Sequence, residues 1–306
     1  MSQPPINQSC ETAEKQALEG QAQPVSASGT DAPQHQPLVD LRTELFEFGR
    51  FLLLFAFAVL LIRSFFLSSF NIPSESMQPR LLIGDYLFVN KAAYGWTRHS
   101  LPFSLPLIPG RIMGSTPNRG DVVVFKHPLD ETDYIKRVIG LPGDRVQVID
   151  GLVRINDVPV PRVRVADLLI PATPNMVEAS YGNPCFRPAF EVMRADGQLM
   201  CRYPRFVETL PNGRRYAVLD LILGDADTTG VYQVPDGHLF LMGDNRDRSY
   251  DSRFPAVAGA GIGIVPEDRL VGAALVTVFS TDGSAAWYNP VSWFTAARWD
   301  RIGEGF

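Results

Sequence analysis

Lysine and histidine are scarce in this chain of 306 residues. Of its 28 basic residues only Lys15, Lys91, Lys126 and Lys136 are lysines, and the histidines are His35, His99, His127 and His238. A mechanism that needs a nitrogen base therefore has few candidates. Cysteine is scarcer still, with Cys10, Cys185 and Cys201. Three cysteines exclude a disulfide-dense scaffold, and no Cys/His cluster has zinc-ligand spacing, so no metal or cofactor is expected. The chain has no Lys/Arg run and a net charge of −5. Neutralising phosphates takes clustered basic charge, so no nucleic-acid partner is expected. The 25 glycines follow no triplet repeat, which excludes a collagen-like chain. What is present is enough apolar sequence, 45% against 20% charged, to support a buried core.

The chain divides by composition. Residues 1–40 hold seven Gln, five Pro and no aromatic residue. Such a segment cannot bury enough surface to offset ordering entropy, and a disordered tail is expected over 1–45. Residues 51–62 read FLLLFAFAVLLI, and after Arg63 the apolar character continues to Phe70. Twenty helical residues reach roughly 30 Å, about one hydrocarbon core. A transmembrane anchor over 46–70 is expected, with a buried core helix as the alternative. The basic residues Arg42 and Arg50 before it, and Arg80 and Lys91 after it, leave its orientation open. Beyond residue 70 the pattern is β. DYLFVNK (85–91), DVVVFKH (121–127), DYIKRVIG (133–140), VYQVPDGHLFLMG (231–243) and LVGAALVTVFS (270–280) read as strands, and 144–157 as a hairpin turning at Asp150-Gly151. The expected fold is mainly β, an antiparallel catalytic sheet from 71–157 and 231–306. The Pro-rich stretch 158–230 reads as an inserted subdomain.

Three segments carry chemistry. In NIPSESMQP (71–79), Pro73 and Pro79 bracket Ser74 and Ser76 and rule out helix. In DYIKRVIG, alternation puts Lys136 on one strand face with Tyr134 and Val138, and Arg137 on the other. Burial lowers an amine's pKa, which is what a lysine acting as a general base requires. The segment GDNRDRSYDSR (243–253) gathers Asp244, Asp247, Asp251, Arg246, Arg248 and Arg253 after a strand. It fails as a calcium loop, since Ser252 stands where glycine is required and Ala258 where the closing Glu belongs. The glycines of GAGIG (259–263) precede Pro266 rather than a helix, so no nucleotide site is expected.

In this order, an anchor, PSESM-x-P, GDYLFVNK with GDVVVFK, DYIKRVIGLPGD and GDNRDRSYDSR, the segments resemble the type I signal peptidases, membrane-bound Ser/Lys proteases. The resemblance runs over about residues 48–280. It implies Ser76 as nucleophile, Lys136 as general base, and an oxyanion hole from Ser74 and the Ser76 N–H. Ser249 matches the serine that orients the lysine, Asp251 and Arg253 a supporting ion pair, and Asp244 and Arg246 structural parts of the same loop. Phe70, Ile72, Met77, Leu81, Tyr134 and Ile135 stand at the substrate-pocket positions. The implied substrates are signal peptides of exported preproteins, cut after small residues. The implied location is a bacterial inner membrane, in contact with lipid, with the catalytic domain outside. Arg80 departs from the Thr usual at its position, Glu75 from a small residue, and the stretch after Arg253 is longer than expected. A narrow-substrate Ser/Lys processing peptidase and a catalytically silent, membrane-tethered peptide-binding domain are the rival readings. Two matters stay open: whether Cys185 and Cys201 pair, and whether Trp287, Tyr288, Trp293, Phe294 and Trp299 sit at a membrane interface or in the core.

Overall fold

The computed structural model describes residues 41–101 and 104–306. Of the disordered tail expected over 1–45, residues 1–40 lie outside the described residues and 41–45 are helical instead. The first element is helix α1, Leu41–Phe65, of 25 residues. At 1.5 Å per residue it is about 38 Å long, enough to cross a bilayer. Residues 41–63 of it are exposed. It begins inside the expected tail and ends before the expected boundary at Phe70. The cause is competition for backbone groups. Leu67–Asn71 leaves the helix and pairs with Asp85–Asn90 as an antiparallel edge strand. The Ser68 hydroxyl donates to the Arg63 carbonyl at 2.9 Å, and the Trp96 indole N–H to the Phe65 carbonyl at 2.7 Å. These side chains satisfy carbonyls that a longer helix would have used.

By contacts, residues 52–306 form one compact unit, and residues 41–51 fall outside it. The longer strands are β1 (Leu67–Asn71), β2 (Asp85–Asn90), β3 (Val122–Lys126), β4 (Asp133–Gly140), β5 (Arg145–Ile149), β6 (Leu152–Ile155), β7 (Arg162–Pro171), β8 (Leu199–Thr209), β9 (Arg215–Leu219), β10 (His238–Met242) and β11 (Leu270–Ser280). The fold is mainly antiparallel β. The central sheet runs β1-β2-β11-β3-β4-β10 and ends on the short strand Val265–Pro266. Consecutive strands pair as β1–β2 and β3–β4, and β11, far along the chain, closes between β2 and β3. Ile72, Met77, Leu81, Leu87, Val89, Val122, Val124 and Val271 pack together on one side of it.

The hairpin β5–β6 turns where expected. Asp150 and Gly151 both have positive φ, 50° and 74°, the geometry of a type I′ turn. The stretch 231–243 is two strands, not one. Pro235-Asp236-Gly237 turns between Tyr232–Gln233 and β10, and Tyr232–Gln233 pairs with β5 instead. Proline supplies no N–H and glycine takes the positive φ, so the run breaks there.

Within 158–230, β8 is flanked by β7, β9 and the short strand Glu191–Met193 in a four-stranded sheet. The weak periodicity has a physical origin: the β7–β8 register shifts between Val165 and Leu168, which resets the alternation of faces. Beneath this sheet Ile170, Met176, Tyr203, Leu219 and Leu221 pack with Ile83. Cys185 and Cys201 are joined there as a disulfide, with their Cα atoms 5.3 Å apart.

Candidate active site

The segment after β1 is clamped at both ends. The Ile72 N–H donates to the Asp85 carbonyl at 2.8 Å, and the Gly84 N–H returns to the Ile72 carbonyl at 3.0 Å. Between the prolines the chain turns, with Gln78 N–H on the Glu75 carbonyl (3.0 Å) and Leu81 N–H on the Met77 carbonyl (2.9 Å). The Ser76 carbonyl accepts from the Asn245 N–H at 3.1 Å, which ties the turn to the loop after β10. The Ser76 N–H donates to no group among the described residues. It is left free beside its own hydroxyl.

Lys136 sits on β4 facing this turn. Its Nζ donates to Ser76 Oγ at 2.8 Å and to the Ile135 carbonyl at 3.0 Å. The lysine is 3% exposed and Ser76 6%. Removal from water lowers the amine's pKa from its usual value to about 8, and the carboxylates of Asp251 and Asp244 offset only part of that. A hydroxyl therefore lies in hydrogen-bond contact with an amine that is partly neutral near pH 8. The Ser74 hydroxyl stands 3.4 Å from Ser76 Oγ on the exposed side.

The loop after β10 is held by charge pairs. Arg253 grips Asp251 through two hydrogen bonds, 2.9 and 3.0 Å, both groups being buried. Burial pushes the Asp251 carboxyl up, but the Arg253 guanidinium and the N–H groups of Gly243 and Arg253 outweigh it and hold the pKa low. Asp244 takes a bidentate fork from Arg137 at 2.7 and 2.6 Å. Arg246 reaches Glu208 of β8 at 2.5 Å, and Tyr216 donates to the same carboxylate at 2.6 Å. The second sheet thus braces the site loop through Glu208, which is fully buried.

A cleft of about 350 Å³ opens on the pair. Phe70, Ile72, Tyr134 and Ile135 line it, together with Ser74, Ser76 and Lys136. Met77 and Leu81 do not line it. The turn after Ser76 carries both inward, and they are fully buried in the core with Ile72. The Ser249 hydroxyl is buried with no hydrogen-bond partner among the described residues, and the amine's second acceptor is the Ile135 carbonyl.

Several residues escaped sequence reasoning. A Cβ on Gly243 would lie 2.3 Å from Ser249 Oγ and 2.5 Å from the Ser76 carbonyl oxygen, so only glycine fits between them. Glu75 is buried beside the nucleophile with Arg248 Nε at 2.7 Å. Burial raises the Glu75 pKa and Arg248 opposes the rise. Gly259 and Ala260 of the long stretch after Arg253 wall the cleft, the Gly259 N–H bound to Asp130 at 2.7 Å. The length of that stretch and the departure at Glu75 were the visible signals. Glu208 had none, being far along the chain.

An antiparallel β fold with a hydroxyl–amine pair in an open cleft is the arrangement of a hydrolase of peptide bonds. The family model for signal peptidase, peptidase S26, matches residues 45–279, and the chain belongs to that family. It is 37% identical over 245 residues to signal peptidase I of Rickettsia typhi, covering 77% of this chain and 80% of that one. With signal peptidase I of Rickettsia conorii the identity is 34% over 276 residues, covering 84% and 91%. The crystal structure of a signal peptidase I from Enterococcus faecalis V583 overlaps 52% of this chain and 97% of that chain at 23% identity, with a TM-score of 0.27, too low to carry an argument.

Proposed function

We propose that the protein removes signal peptides from exported preproteins, using Ser76 as nucleophile and Lys136 as general base. The observation that carries this reading is the 2.8 Å contact between Lys136 Nζ and Ser76 Oγ, with the amine lowered to about 8. As Oγ adds to the scissile carbonyl carbon, its proton passes to the neutral amine. The resulting ammonium then gives that proton to the leaving nitrogen, and water hydrolyses the acyl-serine by the same base. Ser74 and the free Ser76 N–H are the proposed donors to the oxyanion; each such donor is worth roughly 10²–10³ in rate. Ser249, with its hydroxyl unspent, is the proposed acceptor that holds the amine once the substrate displaces Ser76 from it.

The substrate is taken as an extended strand along β4, with small residues at −1 and −3 against Ile72, Tyr134 and Ile135. Helix α1 is the proposed bilayer span. Ser76 follows its end by eleven residues, a reach of at most about 40 Å from the membrane surface. The catalytic unit is placed on the outer face of the inner membrane, where preproteins emerge.

The test is cleavage of a preprotein bearing an A-x-A site by detergent-solubilised protein, with the new N-terminus read by mass. A cut after the second alanine, lost when that alanine becomes phenylalanine, supports the proposal. Cleavage of one dedicated partner alone points to a narrow processing peptidase. Binding of the preprotein without cleavage by wild-type protein contradicts the proposal.

A further inference from the structure

The strand that carries Lys136 toward the cleft carries Arg137 to the opposite face, and there a second hollow of about 470 Å³ opens. Six arginines line it: Arg80, Arg137, Arg205, Arg214, Arg215 and Arg301. The only acidic side chain among the lining residues is Glu304. None of these residues lines the cleft that holds Ser76 and Lys136.

Three of the arginines are already spent. Arg137 is forked on Asp244, Arg214 reaches Asp121 at 2.5 Å, and Arg301 holds Asp85 at 2.6 Å and Glu304 at 3.5 Å. The other three have no ion pair with a described carboxylate. Arg80 lies over the Phe306 ring at 5.1 Å, and Arg205 spends only its Nε, on the Ala166 carbonyl. Arg215 is exposed at the rim. Three uncompensated cations around one concavity repel one another unless an anion joins them. Guanidinium forks match the oxygens of a phosphate group in pairs. Outside the first 40 residues the chain is almost neutral in charge, so this concentration is local.

We propose that this hollow is a binding site for a phosphate group, separate from the catalytic cleft, held by Arg80, Arg205 and Arg215. The same chemistry is offered by free phosphate and by an anionic lipid headgroup. The site draws its residues from the turn after Ser76 and from β8 and β9, so its occupant joins the second sheet to the nucleophile segment.

The test is thermal unfolding of the detergent-solubilised full chain at constant ionic strength. Inorganic phosphate is set against chloride, and mixed micelles containing phosphatidylglycerol against phosphatidylcholine. Occupancy raises the midpoint by about 2–4 °C over the chloride control. A response to inorganic phosphate alone supports a soluble ligand; a response to phosphatidylglycerol and not phosphatidylcholine supports a headgroup. Arg205→Gln/Arg215→Gln, which leaves the catalytic groups untouched, weakens the apparent affinity at least tenfold while preprotein cleavage persists. Arg80→Gln repeats the test from a different segment should the double variant not fold. No shift beyond chloride with either probe, or the same shift in the variants, overturns the proposal.

Discussion

Lys136 is buried as an amine that water would keep charged up to its usual pKa of 10.5, and the fold lowers it to about 8. The consequence for stability has a sign. Between about pH 8 and 10.5 the unfolded chain binds the proton and the folded one does not, so stability rises with pH across that window. Below pH 8 both states hold the proton, and the folded state carries the full cost of a buried ammonium. Lys136→Met removes that cost. The variant is expected to be inactive and yet more stable near pH 7, by roughly 2–3 kcal/mol. Urea unfolding at pH 7 and pH 10 checks this, the gap narrowing at the higher pH. A destabilised Lys136→Met would mean that the amine is stabilised where it sits. Period-2 alternation and the two prolines made the strand face of Lys136 and the non-helical setting of Ser76 legible, since both act within a few residues, but only the resemblance joined the two, because they lie 60 positions apart. The inward turn of Met77 and Leu81 was not, because it depends on the Leu81–Met77 hydrogen bond and on Val122 and Val271 from other strands.

At the scale of elements, the loop after β10 is the part that must not move. Gly243 lies between Ser249 and the Ser76 carbonyl with no room for a methyl group. Gly243→Ala is therefore expected to push the serine away from Lys136 and lower kcat/KM at least 100-fold, with the protein still folded by circular dichroism. Activity within a fewfold of wild type would show that the loop yields. The sequence placed a strand before this glycine and charged residues after it, but not the contact, since Ser76 is 167 positions away. Glu208 was hidden for the same reason. The disulfide is the other element-scale brace. It closes a separation of 16 residues inside the second core. Replacing both Cys185 and Cys201 by Ser is expected to lower stability by about 2–4 kcal/mol. Measured chemical unfolding under oxidising conditions decides it, and an unchanged midpoint would assign the bond no stabilising role.

At the scale of the whole molecule, two of the exposed apolar groups among the described residues bear on a membrane. One is α1. The other is the C-terminal aromatic group, where Trp287 is 84% exposed, Tyr288 74% and Phe294 65%. The sequence left this group open between core and interface because apolar composition fits both. Its exposure favours the interface, where aromatic rings settle at the headgroup level. In reconstituted full-length protein carrying Trp287 as its sole tryptophan, brominated lipid is expected to quench its fluorescence. Unquenched emission would place this group away from the bilayer.

The central claim is that Lys136 must be a neutral amine to take the Ser76 proton. Its most direct test is the pH dependence of kcat/KM for preprotein cleavage from pH 5 to 10. A tenfold rise per pH unit at low pH, levelling near pH 8, is expected, with loss of activity in Ser76→Ala and Lys136→Ala. A rate that is flat across pH 6–9, or a Lys136→Ala variant that keeps wild-type activity, would contradict it.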